Sequence, residues 1–349
     1  MDNYVQVKRA EIRHQYIDRD SGRIRDEHLY WDPLVNFIYS EVREVAPDLF
    51  RALIGPRASR CLGFLNYDLA LGSKLLGPVE FARKLGVSLS ECLQSPDELT
   101  TARKFFERKI KYWECRPIPE DPAIVVSPAD GRALVGSLRT RSSLFIKGKF
   151  FSMEELLGPG QHQWIQAFRD CDFAIIRLTP EKYHYNHAPA AGRLEALYQV
   201  DGDFHSCNPG PVVAVATPYS KNRRTVSIID TDVPGGTGVG LIAMIEVVAL
   251  MIGEVVQAYS ERHYDSPSVP RIGQFLSKGA PKSLYRPGSS TDVLLFQQRR
   301  IRFDCDLISN MSRPGASSRF SQGFGAPLVE TEVRVRSSIG ISSRGAHDS

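Results

Sequence analysis

Three short stretches carry side chains that could act together as an oriented base and an activated nucleophile. Val126-Ser127-Pro128-Ala129-Asp130-Gly131-Arg132 places a carboxylate, Asp130, in a tight turn directly after an apolar run. Tyr183-His184-Tyr185-Asn186-His187-Ala188-Pro189 places two imidazoles three residues apart. Gly288-Ser289-Ser290-Thr291 presents hydroxyls ahead of Asp292-Val293-Leu294-Leu295-Phe296, a run that reads as a buried strand. Pro287 removes a backbone donor before this tetrad, and Gly288 permits a bend that other residues avoid. A carboxylate, an imidazole and a hydroxyl are the parts of nucleophilic catalysis, whatever their order in the chain. Each stretch alone also has a plain reading: an Asp-Gly turn, two loop histidines, a Gly-Ser turn feeding a strand. The histidine pair lacks the helical i,i+4 spacing and a nearby third ligand, so no metal site is expected.

The elements that must position these groups change character near residue 116. Residues 1–28 are polar and read as an extended arm or short hairpin. From Trp31 to Ile54 apolar residues recur at helical spacing, with Asp32 as cap and Pro33 at the first helical position. Helical pattern continues over 57–76, 78–85 and 96–113, the last with Leu99, Ala102, Phe105, Phe106 and Ile110 on one face. The prolines of Arg116–Pro122 end this pattern. Short β-like runs follow at Ile124–Val126, Ala133–Leu138, Ser143–Ile146, Ala174–Leu178, Leu194–Val200, Val212–Ala216 and Thr225–Ile229. One helix interrupts them, opened by the capping-box pattern Ser152-Met153-Glu154-Glu155. Further strands are expected within 239–258 and at Val293–Phe296, Ile301–Phe303 and Glu332–Val335. The expected fold is α+β: an N-terminal arm and helical layer over 1–116, a β-rich, sandwich-like catalytic body over 117–336, and a disordered tail over 337–349.

Composition narrows the function. With 349 residues, 42% hydrophobic and 24% charged, the chain has the make-up of a soluble globular protein with a real core. A net charge of +4, from 44 basic and 40 acidic residues, argues against nucleic acid. The six cysteines are scattered without metal or disulfide spacing, which points to free thiols in a reducing compartment. The N-terminus shows no secretory signal, and the longest apolar window, Val239–Val256, is broken by Glu246, Gly253 and Glu254. The expected location is therefore cytoplasmic, on a membrane surface at most.

In order along the chain, the motifs resemble those of the pyruvoyl-dependent phosphatidylserine decarboxylases. Phe105-Phe106-Glu107-Arg108-Lys109-Ile110 and Arg116-Pro117-Ile118 lead to the Ser-Pro-Ala-Asp-Gly turn as in that family. Lys147–Phe150 through Leu156-Leu157-Gly158, Tyr183-His184 through Pro189, Phe204–Pro209, Asn222-Arg223 and Lys278-Gly279 continue the likeness, which covers residues 100–300. The chain departs from the pattern at Pro281, where the family often has an acid, at Ser283, where it has a second glycine, and at Tyr185, where it has arginine.

The resemblance implies a self-processing proenzyme. A serine hydroxyl would attack the preceding carbonyl, and the chain would part into two pieces that stay associated, the second beginning with a pyruvoyl group. Carried over by motif, His187 is the processing base, Asp130 its orienting carboxylate, and His184 the proton donor of the mature enzyme. The nucleophile, and the source of the pyruvoyl cofactor, is Ser289 when counted from Lys278, with Gly288 on the acyl side; counted back from Phe296 it is Ser290. The implied reaction is decarboxylation of phosphatidylserine in membrane lipid to phosphatidylethanolamine through a Schiff base on the pyruvoyl group. The alternatives are a relative acting on another amine-bearing acid, such as a soluble amino acid, and a non-catalytic β-domain that binds without reacting. A homodimer is left open.

Overall fold

The computed structural model describes residues 13–29, 37–55, 77–138, 152–214, 218–249, 254–288 and 290–346. The expected helix start at Asp32-Pro33, the helical pattern of 57–76, the strand at Ser143–Ile146, the Lys147–Phe150 motif and Ser289 lie outside the described residues. The fold is α+β with a β-rich body, as the alternating runs predict.

Its centre is a ten-stranded sheet. Numbered along the chain and taken from one edge, it runs β11 (Phe275–Leu276), β7 (Gly192–Val200), β8 (Arg224–Asp230), β9 (Leu241–Val248), β13 (Ser290–Phe296), β5 (Asp172–Leu178), β4 (Gly131–Ser137), β15 (Glu330–Val333), β1 (Gln15–Ile17) and β2 (Ile24–Asp26). Two three-stranded sheets accompany it: β10 (Val255–Gln257), β12 (Pro281–Tyr285) and β6 (Tyr185–His187), and β14 (Ile301–Phe303), β16 (Ser338–Ser342) and β3 (Ile124–Val126).

Strand β13 sits in the middle, antiparallel to β9 on one side and β5 on the other over its whole length. Side chains alternate between faces along a strand. Val293 and Leu295 therefore join a core with helices Met153–Leu157, Pro209–Ala214 and Arg319–Phe324, while Leu294 and Phe296 join a second with Val125, Phe106, Tyr285, Phe303 and Leu307. Val293–Phe296 are all fully buried, as expected.

Four expectations need correction. The arm is not among them, since it is the short hairpin expected: β1 and β2 extend the main sheet, β1 pairing parallel to β15. The 96–113 helix is broken into a turn at Pro96–Glu98 and helices Ala102–Phe106 and Tyr112–Cys115. The break falls where Arg108 turns inward to donate to the carbonyls of Phe105 and Glu181, and where Ile110 bridges to Cys92. Of the strand expected at Val212–Ala216, the described residues 212–214 instead belong to the helix Pro209–Ala214, opened by Pro209 and Pro211, residues tolerated in a first turn. The tail is ordered through Ala346: β16 pairs with both β14 and β3, and Ile339 is fully buried. Helix Met153–Leu157 forms without its capping box, because the Ser152 backbone N–H donates to Ser220 Oγ instead.

A cluster of buried charge ties the hairpin to the sheet. Arg177 on β5 donates to Glu330 on β15 (2.6 and 3.0 Å) and to Glu27 (2.6 and 2.8 Å). His14 Nε2 donates to Glu330 at 2.8 Å while its Nδ1 accepts from the Arg319 N–H. His14, Glu27 and Glu330 are close enough to hold a metal ion, but the Arg177 guanidinium already serves both carboxylates as the cation.

Candidate active site

The Ser-Pro-Ala-Asp-Gly turn links β3 to β4, and Ser127 Oγ closes it by donating to the Ala129 carbonyl at 2.7 Å. The turn docks on β6: the His187 backbone N–H donates to the Pro128 carbonyl at 2.8 Å. Asp130 is 6% exposed. Its oxygens accept from Arg116 at 2.8 and 3.1 Å and from the Val335 N–H at 2.7 Å. Burial alone would raise this carboxyl, but Arg116 and the Val335 N–H outweigh it and hold Asp130 below the usual carboxylate range.

His187 is fully buried, and both ring nitrogens are engaged. Nδ1 donates to the Gly279 carbonyl at 2.8 Å, which leaves Nε2 as the acceptor for the Tyr183 hydroxyl at 3.0 Å. Gly279 aims that carbonyl from a φ of +73°, and a Cβ there would stand 2.4 Å from Ile118 Cδ1, so glycine is required twice over. Tyr183 in turn meets Tyr264 at 2.7 Å, and Tyr264 bonds both backbone groups of Ile110. Burial pushes the imidazole down to about 3, with Arg336 nearby adding to the shift. The expected orienting bond from Asp130 to His187 is not made; the carboxylate is spent on Arg116 and acts on the ring only through space. The Gly279 carbonyl is the orienting group.

His184 is built differently. Its ring stacks on Phe106 at 3.5 Å, Nδ1 donates to the Lys182 carbonyl at 2.8 Å, and Nε2 has no partner among the described residues. Burial first, then the Arg108 charge, pushes its pKa well below 6.5. At neutral pH Nε2 is therefore a bare lone pair, a base rather than the proton donor expected of this residue.

Tyr285 links this imidazole to the strand of the serines. Its backbone N–H donates to the His184 carbonyl at 3.0 Å, and its hydroxyl reaches the Thr291 carbonyl at 3.1 Å and Asp292 Oδ1 at 2.8 Å. Ser290 heads β13 between Leu178 and Val248, 1% exposed, and its Oγ has no partner among the described residues. Gly288 just before it adopts φ +150°, a conformation that residues with a side chain rarely take. The structure thus sets the Asp130 turn against β6, which carries His187, and links the His184 backbone through Tyr285 to Thr291 and Asp292 on β13.

Sequence reasoning missed Arg116 as the partner of Asp130, Tyr264 behind Tyr183, and a polar group formed by Glu246, Lys282, Ser283 and Asp292. Its one signal was a pair of charges, Glu246 and Asp292, inside otherwise apolar runs.

Comparison with known proteins places this geometry. The sequence profile of the phosphatidylserine decarboxylase family matches residues 102–326. The chain belongs to the phosphatidylserine decarboxylase family. A phosphatidylserine decarboxylase proenzyme of Chlamydia trachomatis is 32% identical over 329 residues, 93% of this chain and 96% of the relative. Its counterpart from Chlamydia pneumoniae is 29% identical over 310 residues, 88% of this chain and 95% of the relative. One from Bordetella petrii is 32% identical over 236 residues, 64% and 78% of the two chains. The family match spans the Asp130 turn, both histidines and the serines, so the site just described lies within the family's own domain.

Proposed function

We propose that this chain is a self-processing decarboxylase that converts phosphatidylserine to phosphatidylethanolamine at a membrane surface. The observation that supports the reading is that the family match covers the Asp130 turn, two buried imidazoles and a glycine-serine stretch leading into a central strand. The serine hydroxyl, Ser289 by our assignment with Ser290 as the alternative, gives its proton to His187. That imidazole carries its lone pair on Nε2, where Tyr183 donates, so the hydroxyl meets it directly or through the phenol. The Asp130 charge favours the imidazolium that forms.

The oxygen then attacks the preceding carbonyl, the C–N bond breaks as nitrogen takes a proton, and an ester joins the two pieces. Loss of the serine α-proton expels the upstream piece as a carboxylate, and hydrolysis with release of ammonia leaves a pyruvoyl group on the downstream piece. The residues suit such a group: a glycine at φ +150° on the acyl side and, without partners among the described residues, His184 Nε2 and the buried Ser290 hydroxyl. The pyruvoyl ketone supplies an electrophile for the substrate amine and a sink for the electron pair left by departing CO₂. His184 Nε2 accepts a proton from the substrate ammonium, which must become a free amine to react.

No described helix is long and apolar enough to cross a membrane. Phe37, Val45 and Leu49 are nevertheless exposed on and beside the helix pair ending at Ile54, next to Arg43 and Arg51, and form the face we assign to lipid. Incubating the purified protein with phosphatidylserine vesicles should release CO₂ and form phosphatidylethanolamine, whereas free serine should be a poor substrate. Equal turnover of a soluble amino acid would favour the other amine-bearing acid, and a folded chain inert toward both would sink the enzyme reading.

A further inference from the structure

The layer between β10-β12-β6 and the middle of the main sheet is polar where a sheet interface is ordinarily apolar. Asp292 on β13 pairs directly with Glu246 on β9, and both side chains are fully buried. Glu246 receives four donors: Lys282 Nζ at 2.8 Å and Gln257 Nε2 at 3.1 Å on Oε2, Asn186 Nδ2 at 3.0 Å and the Ser283 hydroxyl on Oε1. Asp292 receives one side-chain donor, the Tyr285 hydroxyl on Oδ1, and its Oδ2 has no partner among the described residues.

Two carboxylates facing each other in a dry interior, with a single lysine beside one of them, do not both ionise. The one with four donors keeps the charge. Asp292 keeps its proton, on the oxygen that nothing occupies. The electrostatics agree: burial and then the Glu246 charge raise the Asp292 carboxyl well above the usual range, whereas for Glu246 the burial penalty is outweighed by Lys282 and the other donors.

Asp292 is three residues after Ser289 in sequence and shares its face of β13 with Ser290, the alternative serine, two residues earlier. The neighbouring groups are already engaged in hydrogen bonds. His184 has its N–H on Nδ1, held by the Lys182 carbonyl. Tyr285 donates to Asp292 itself, and the Lys282 ammonium is bound to Glu246 and Gln257.

We propose that Asp292 is the general acid of turnover, delivering its Oδ2 proton to the substrate α-carbon in place of the departing carboxylate. The bond from that carbon to the carboxylate breaks, CO₂ leaves without the bonding pair, and the pair ends in a new C–H bond made with the Asp292 proton. The Asp292 carboxylate then recovers a proton from water. This rests on the decarboxylase reading above and moves the donor role there expected of His184.

The test is Asp292→Asn, which keeps the shape and an acceptor for Tyr285. It should still yield two chains, with kcat on phosphatidylserine lower by about 10²–10⁴-fold and KM little changed. In deuterium oxide the wild type should place deuterium on the product's nitrogen-bearing carbon in one configuration, and the variant in both. Apart from turnover, the infrared spectrum of the wild type without substrate should show the carbonyl stretch of a protonated aspartic acid, absent from the variant. Isotope-labelled aspartate identifies that band in the wild type should the variant not fold. A missing band, unchanged kcat, or scrambled deuterium in His184→Ala but not in Asp292→Asn overturns the acid alone. A wild type that shows the band yet makes no phosphatidylethanolamine overturns the decarboxylase reading and the acid with it.

Discussion

Two clusters of buried charge lie on the same sheet, one around Arg177 and one around Glu246, and they are finished to different degrees. In the first, all four carboxylate oxygens of Glu27 and Glu330 receive a donor from Arg177, and His14 is bonded through both nitrogens. Its rim is looser, where Arg132 Nε has no hydrogen bond among the described residues and the guanidinium stacks 3.4 Å from the Tyr16 ring. In the second, Glu246 is equally well served, yet Asn186 Oδ1, Asp292 Oδ2, Ser290 Oγ and the nearby His184 Nε2 have no partner among the described residues. Buried polar atoms are nearly always satisfied, so a run of exceptions in one layer needs a reason. The first cluster holds pieces of chain together. The second is the one to which our proposal assigns chemistry.

The sharpest break between the two should come from the histidines beside the second cluster. His184→Ala should process into two chains and yet lose about 10²–10⁴-fold in turnover, because the open base is gone. His187→Ala or Asp130→Ala should instead block or greatly slow processing, as seen on a denaturing gel over time. Normal processing in His187→Ala with failure in His184→Ala would exchange the two roles.

The first cluster should fail by unfolding. Arg177→Met leaves Glu27 and Glu330 buried without their cation, at a cost of about 3–5 kcal/mol. A denaturant midpoint should show the loss, and the C-terminal piece, which carries Glu330, should dissociate more readily. A shift of under about 1 kcal/mol would mean that the cluster is not the clamp described here.

A smaller effect separates the clusters by sign. Glu330 is held down to about 2, chiefly by Arg177 and His14 acting against burial, so its folded pKa lies below its unfolded one. Its contribution is present above the unfolded carboxylate pKa and is lost as pH falls toward about 2. Asp292 is shifted upward, so the folded protein binds a proton that the unfolded chain releases, and stability is lost as pH rises above the ordinary aspartate value. Asp292→Asn should therefore be more stable than the wild type at pH 7, with the gain fading toward pH 4 in thermal melts. A variant less stable than the wild type at neutral pH would mean that Asp292 is ionised.

What could be read from the sequence was what repeats locally. Strands β3, β5, β8 and β14 follow from short apolar runs between turns. The failures have one cause: partners far apart in sequence. Asp130 looked free to orient a histidine because Arg116 was read only as part of a motif. Glu246 registered as a break in an apolar run and Asp292 as part of one, since only pairing of β9 with β13 sets them face to face. Val212–Val213 has β-branched side chains but sits behind two prolines that open a helix.

The central claim, that the chain cuts itself at a serine beside Gly288, is tested most directly by the intact mass of the purified protein. We predict two chains, the first ending at Gly288 and the second beginning with a pyruvoyl group in place of Ser289, and one uncut chain for Ser289→Ala. Cleavage that persists in Ser289→Ala but is lost in Ser290→Ala would move the bond by one residue. A folded wild type that remains a single chain of full mass would contradict the account.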